Sequence, residues 1–162
     1  MLDELLRLGI AREFIVLIIA ALPIFELRGA IPVGINIFHF PWYYTLAIAV
    51  IGNMLPIPFI LLFLDRITRL LRRVPVFRRG IDWWFARTEK RSGTVRKYGA
   101  VGLAVFVGIP LPFTGAWTGA LLATFLGLPF WRSLVAILAG VLAAGAIVTA
   151  IAYFGLKVMG IG

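Results

Sequence analysis

Cysteine is absent from this 162-residue chain, which excludes disulfides, thiolate chemistry and cysteine metal sites. Histidine occurs once, at position 39, so a histidine-rich metal cluster is excluded as well. His39 reads as an interfacial side chain, with a proton relay as its alternative. Acidic residues number only seven, and all charged residues together make up 14% of the chain, against about 25% in soluble domains. So little charge, with 62% hydrophobic residues, predicts an integral membrane protein of one domain. No cleavable signal is expected either: positions 1–13 are charged and amphipathic, and no small-residue cleavage site follows.

The positive charge is unevenly placed. Eleven Lys/Arg lie between Asp65 and Lys97 against Asp65, Asp82 and Glu89, so this segment carries +8 of the net +9. A short basic stretch beside membrane spans is what the positive-inside rule predicts, and it puts 65–98 on the cytoplasmic side of the cell (inner) membrane. Ile67, Leu70, Leu71, Val74 and Phe77 opposite Arg66, Arg69, Arg72 and Arg73 read as an in-plane basic helix that touches membrane lipid. Nucleic acid is not expected as a partner, because no recognition motif accompanies the charge.

Along the chain, 1–13 reads as an amphipathic helix, with Leu2, Leu5, Leu6 and Ile10 at helical spacing. Positions 14–64 form a first half, 65–98 a basic connector and 99–156 a second half. In the first half, two short apolar pieces flank Pro23-Ile24-Phe25-Glu26-Leu27-Arg28-Gly29-Ala30-Ile31-Pro32, and a longer piece from 45 to 64 contains Asn53, Pro56 and Pro58. A smooth helix through Pro23 and Pro32 is not expected. The region 14–40 is therefore either a re-entrant hairpin or a kinked full span.

In the second half, Pro110-Leu111-Pro112-Phe113-Thr114-Gly115-Ala116-Trp117-Thr118-Gly119 breaks the chain in the same way, before a span from about 133 to 154. Pro129 follows Pro41 by 88 residues, Gly140 follows Gly52 by 88 and Pro110 follows Pro23 by 87, which suggests an internal repeat. If each half is one hairpin plus one span, each crosses once, and the halves are inverted. The expected fold class is thus an all-α integral membrane protein of two inverted repeats, each a re-entrant helical hairpin plus a transmembrane helix. Broken segments at matching positions of such repeats point to a transport site.

An ionised side chain at bilayer depth costs roughly 2.5–3.5 kcal/mol and marks function by default. Glu26 and Arg28 are two apart, so on a regular helix they diverge; either the backbone unwinds and they meet, or each has a separate partner. A second half-helix beginning near Gly29-Ala30, and another near Thr114-Gly115, would aim free N–H groups and positive dipole ends at an anion, with Arg28 adding charge. Glu26 is a natural proton-coupling group. The candidate substrate and proton site comprises Glu26, Arg28, Gly29, Pro32, Asn53, Pro110, Pro112, Thr114, Gly115, Trp117 and Thr118. The alternative is a non-transporting assembly or scaffold protein, with Glu26 and Arg28 as a structural ion pair and Thr114, Trp117 and Thr118 as packing and caps. An enzyme has the weakest case, with one deep carboxylate and no nucleophile pair. No cofactor or metal is expected, and a homodimer is, because so few spans enclose a cavity poorly.

The Glu26–Pro32 motif, with Gly108-Ile109-Pro110-Leu111-Pro112-Phe113-Thr114-Gly115-Ala116-Trp117-Thr118-Gly119, resembles the putative small multidrug export protein family over nearly the whole chain. That family is distantly similar to the DedA (SNARE-associated membrane protein) superfamily. DedA members have facing re-entrant hairpins, an acidic residue in the first hairpin and an arginine in the second, and include proposed carriers of polyprenyl phosphate lipids. The resemblance implies an exporter or lipid flippase, with Glu26 in the acidic role. The second motif has no arginine, and Arg28 lies beside Glu26. With Arg28 disfavouring cationic drugs, the expectation is proton-coupled alternating-access export of a small amphiphilic, anionic or lipid-headgroup substrate.

Overall fold

The computed structural model describes residues 11–71, 98–111 and 114–158, and no strand occurs among them. The helices are α1 (Arg12–Ala21), α2 (Glu26–Pro32) continued by a π-helical turn (Val33–Ile37), α3 (Trp42–Met54), α4 (Ile57–Leu71), α5 (Tyr98–Gly108), α6 (Ala116–Phe125) and α7 (Phe130–Val158). Most of the expected amphipathic helix at 1–13, most of the basic connector at 65–98, and Pro112 lie outside the described residues. α4 runs through the start of the expected basic connector as far as Leu71. Nothing in Asp65-Arg66-Ile67-Thr68-Arg69 stops a helix.

The chain forms two compact units, one of Met1–Pro56 with Val141–Gly162 and one of Ile57–Gly140. In the first, Pro23 ends α1. Leu22, the residue before it, takes the extended conformation (φ −75°, ψ 138°) that a following proline imposes. A turn at 22–25 then folds α2 back along α1, so 14–40 is not one continuous helix. Pro32 does not break α2 but stands as its last residue. It cannot donate to the Arg28 carbonyl, and the bonding changes register into the π turn, where the Phe38 N–H donates to the Val33 carbonyl at 3.1 Å. The short connection at 38–41 returns the chain into α3, which packs on both α1 and α2.

Two close approaches fix this packing. A Cβ on Gly34 would overlap Thr45 Cγ2, and one on Gly52 would lie 2.5 Å from the Leu17 carbonyl oxygen and 2.9 Å from Ala20 Cβ. Ile15, Val16, Ile19 and Ala20 of α1, Leu27, Ala30 and Ile31 of α2, and Thr45, Ala49 and Asn53 of α3 are buried.

In the second unit α6 packs on α4, and Leu103, Phe106 and Val107 of α5 are buried together with Ala120 and Ala123 of α6. A Cβ on Gly119 would come 2.5 Å from Val107 Cγ2, and one on Gly140 would come 2.7 Å from the Ala104 carbonyl oxygen and 2.6 Å from Val107 Cβ. Gly140 thus approaches a carbonyl and the side chain three residues later, as Gly52 does with Leu17 and Ala20.

Trp42–Phe63 (22 residues) and Phe130–Gly155 (26 residues) are long and apolar enough to cross a bilayer, with mean hydropathies of 2.3 and 2.6. At 1.5 Å per residue each exceeds a hydrocarbon core of about 30 Å. Only 28% and 39% of their most apolar windows are buried, so Phe59, Phe63, Val135, Leu142 and Ile151 face outward. Apolar surface left open on this scale calls for lipid around it.

Candidate functional site

The first unit carries the deep charge. Glu26 opens α2 with φ +49°, a left-handed backbone that L side chains rarely adopt, and is 6% exposed. Such a conformation costs of order 1–3 kcal/mol and concentrates at functional positions. The strain answers the question posed by the i, i+2 spacing. Glu26 sits outside the right-handed pattern in which two such side chains diverge, and the half-buried Arg28 guanidinium feels the Glu26 carboxylate as its charge partner.

The expected half-helix start near Gly29-Ala30 is corrected. The helix begins at Glu26, because Pro23 rather than Gly29 breaks the chain. The Gly29 N–H donates to the Phe25 carbonyl at 2.9 Å and the Glu26 N–H to the Leu22 carbonyl at 3.0 Å, so neither is available to an anion. Gly29 is instead a packing position, where a Cβ would lie 3.0 Å from Phe25 Cβ. Pro32 shapes the register of the helix that carries both charges.

Asn53 lies on the buried face of α3 and is fully inaccessible, and neither its amide nitrogen nor its oxygen has a hydrogen-bond partner. The Thr45 and Thr149 hydroxyls share that condition. Sequence reading singled out Asn53 but passed over both threonines. A threonine in an apolar helix is silent by itself, because its hydroxyl usually turns back to a carbonyl of the preceding turn.

In the second unit α6 begins at Ala116 with Gly115 as its N-cap residue, where the sequence put it. Its hydroxyls are committed to the backbone. Thr114 Oγ1 lies 2.7 Å from both the Ile109 and Leu111 carbonyl oxygens, and Thr118 Oγ1 donates to the Gly115 carbonyl at 3.0 Å. A hydroxyl has one proton to give, so Thr114 is occupied as a clasp on the loop after Pro110. Trp117 is half-buried on α6. Glu26, Arg28 and Asn53 belong to the first unit, and Pro110, Thr114, Gly115, Trp117 and Thr118 to the second.

The first unit also has an open groove of about 370 Å³ lined by Trp42, Leu46, Ala146, Thr149, Ala150, Tyr153 and Phe154. None of the residues singled out from the sequence lines it. Among the described residues no three of His, Asp and Glu gather as metal ligands. The buried or half-buried polar groups of the first unit include one carboxylate, one guanidinium and one neutral amide, groups capable of protonation, ion pairing and hydrogen bonding.

A family model described as "Putative small multi-drug export protein" matches residues 26–147. The match starts at Glu26 and takes in the Glu26–Pro32 motif and the whole of the second proline-broken motif. No curated protein and no solved structure matches the chain. With three quarters of its length matched, the chain belongs to this export family, and the two long apolar helices mark it as a membrane protein.

Proposed function

We propose that this member of the export family is a proton-coupled exporter of a small amphiphilic substrate with an anionic or lipid headgroup, and that Glu26 is the proton site and Arg28 the anion contact. The observation that carries the reading is a buried carboxylate held at a strained backbone position beside a half-buried guanidinium, within short apolar helices. Charge at depth and backbone strain each cost free energy, and their coincidence is typical of a working site.

The chemistry supplies a cycle. With Glu26 ionised, its carboxylate and Arg28 neutralise each other and an anion has no excess positive charge to bind. A proton on Glu26 leaves Arg28 uncompensated and able to hold an anion. Loss of that proton restores the internal pair and expels the anion. Proton and anion thus bind together, so the anion moves in the direction of the proton and the imposed gradient sets that direction.

The ten residues of α1 reach about 15 Å, roughly half of a 30 Å core, which suits a re-entrant hairpin. The matched approaches of Gly52 and Gly140 support two repeats, read here as inverted around alternating access. In this reading the protein is a homodimer of the cell membrane with 65–98 on the cytoplasmic side.

The test is transport in membrane vesicles under an imposed pH gradient, with the anionic amphiphile 1-anilinonaphthalene-8-sulfonate and the lipophilic cation ethidium as probes. The expected result is gradient-driven movement of the anion, abolished in Glu26→Gln and biased away from anions in Arg28→Gln. A second reading is a structural ion pair in a non-transporting membrane protein, favoured by the electrostatic contact of the two residues. It predicts that both substitutions lower thermal stability and that no gradient-driven flux exists to lose.

A further inference from the structure

We propose that Asn53 is the group that receives the neutral Glu26 carboxyl, so that protonation transfers this side chain from Arg28 to the Asn53 amide. The inference rests on the reading of Glu26 as the proton site and adds a positioning residue to it.

The first support is register. α2 with its π turn and α3 are joined by the short connection at 38–41 and run antiparallel, with Gly34 against Thr45. From that contact both helices step by four residues: Gly34, Ala30 and Glu26 on one, Thr45, Ala49 and Asn53 on the other. All six positions are buried. Residues four apart lie about one helical turn apart along the axis, so the ladder that starts with Gly34 on Thr45 brings Glu26 to the level of Asn53.

The second support is the state of Asn53. It is fully buried, with two N–H donors and a carbonyl that nothing meets. Buried amides are nearly always hydrogen-bonded, so one that is not calls for an explanation, and a partner gained on protonation supplies one. The third support is complementarity. An ionised carboxylate only accepts hydrogen bonds, so it can answer the amide N–H but not the amide oxygen. A protonated carboxyl offers one O–H and one C=O, which match the C=O and N–H of the amide in a two-bond ring. Asn53 therefore distinguishes the protonated from the ionised Glu26. The proton comes from solution, and no other covalent bond changes.

The charged and titratable groups around Glu26 leave Arg28 as its competing partner. On α1, Arg12 and Glu13 are at the far end, where the Arg12 guanidinium carbon stands 6.0 Å from the Phe38 ring centroid. The π turn carries no ionisable side chain and His39 follows it, at that same far end. α3 has no Asp, Glu, Lys, Arg or His, and its Tyr43 and Tyr44 are exposed at the end remote from Asn53.

The experiment is infrared difference spectroscopy of the purified full chain in liposomes, stepped from high to low pH, in wild type, Glu26→Gln and Asn53→Val. In parallel, wild-type protein labelled with 15N at its asparagine side chains reports on the two asparagines, Asn36 and Asn53, and needs no change at Asn53. The expected result is a carboxylic C=O band that Glu26→Gln removes, that Asn53→Val moves to the higher frequency of an acid with fewer hydrogen bonds, and that rises together with a shift of the Asn53 NH2 signal. A band that Glu26→Gln removes but Asn53→Val leaves in place, with a silent Asn53 signal, overturns the inference and leaves Glu26 as the proton site. No band sensitive to Glu26→Gln overturns the proton-site reading and the inference with it.

Discussion

The two halves of this chain pack their long helices in the same way and furnish them differently. Advancing the buried face of α3 by 88 residues gives the buried face of α7: Thr45 becomes Ser133, Ala49 becomes Ile137, Gly52 becomes Gly140 and Asn53 becomes Val141, and the six of these with a side chain are all fully inaccessible. At these matched positions the second half has no unmet polar group, although the Thr149 hydroxyl further along α7 has no hydrogen-bond partner. Ser133 Oγ lies 3.0 Å from the Pro129 carbonyl, and the position matching Asn53 is plain hydrocarbon. The first half keeps a carboxylate, a guanidinium and an unmet amide. A packing scheme that holds valine at 141 does not by itself call for asparagine at 53, which fits the proposal that the polar groups of the first half form a site.

That contrast can be broken or sharpened by substitution. The largest effect is expected from Glu26→Gln, which should abolish gradient-driven anion movement in vesicles, whereas Thr114→Val in the second half should leave it intact. Gly52→Val and Gly140→Val come next. Each drives a side chain into a backbone carbonyl and should cost about 1–3 kcal/mol, read as matching drops in thermal unfolding temperature. Unequal drops would weaken the equivalence of the two contacts. Asn53→Val writes the residue of the second half into the first, and in denaturation at neutral pH it should stabilise the protein by about 1–3 kcal/mol by removing two unmet polar atoms. Val141→Asn should do the reverse. The smallest effect is Thr114→Val, about 1 kcal/mol lost with the hydroxyl clasp on the 109–111 loop.

Much of this was legible in the sequence for local reasons. Proline acts on its neighbour, so the breaks at Pro23 and after Pro110, and the interruption between α3 and α4 at Pro56, could be placed from residues alone. The 88-residue spacing of Gly52 and Gly140 pointed to the pair of helix approaches that the fold contains. Less legible was anything that depends on which face a residue turns. α2 starts at Glu26 rather than near Gly29 because the break falls at Pro23, and the left-handed backbone at Glu26 is one that no propensity scale assigns to glutamate. The hydroxyls of Thr114 and Thr118 suggested a ligand surface but are spent on nearby carbonyls, those of Ile109 and Leu111 for Thr114 and that of Gly115 for Thr118. Thr45 and Thr149 went unremarked, since nothing in sequence separates a threonine bonded to its own helix from one left unmet.

The most direct test of the central claim, that Glu26 belongs to an accessible proton-exchanging site, uses the absence of native cysteine. Single cysteines at positions 27, 30, 114 and 118 are exposed to membrane-impermeant thiol reagents from each side, with and without a pH gradient. The account predicts that labelling at 27 and 30, beside Glu26, changes sides with the gradient and that Glu26→Gln freezes it. Uniform protection at 27 and 30 under every condition would contradict the account and make Glu26 and Arg28 a sealed structural pair.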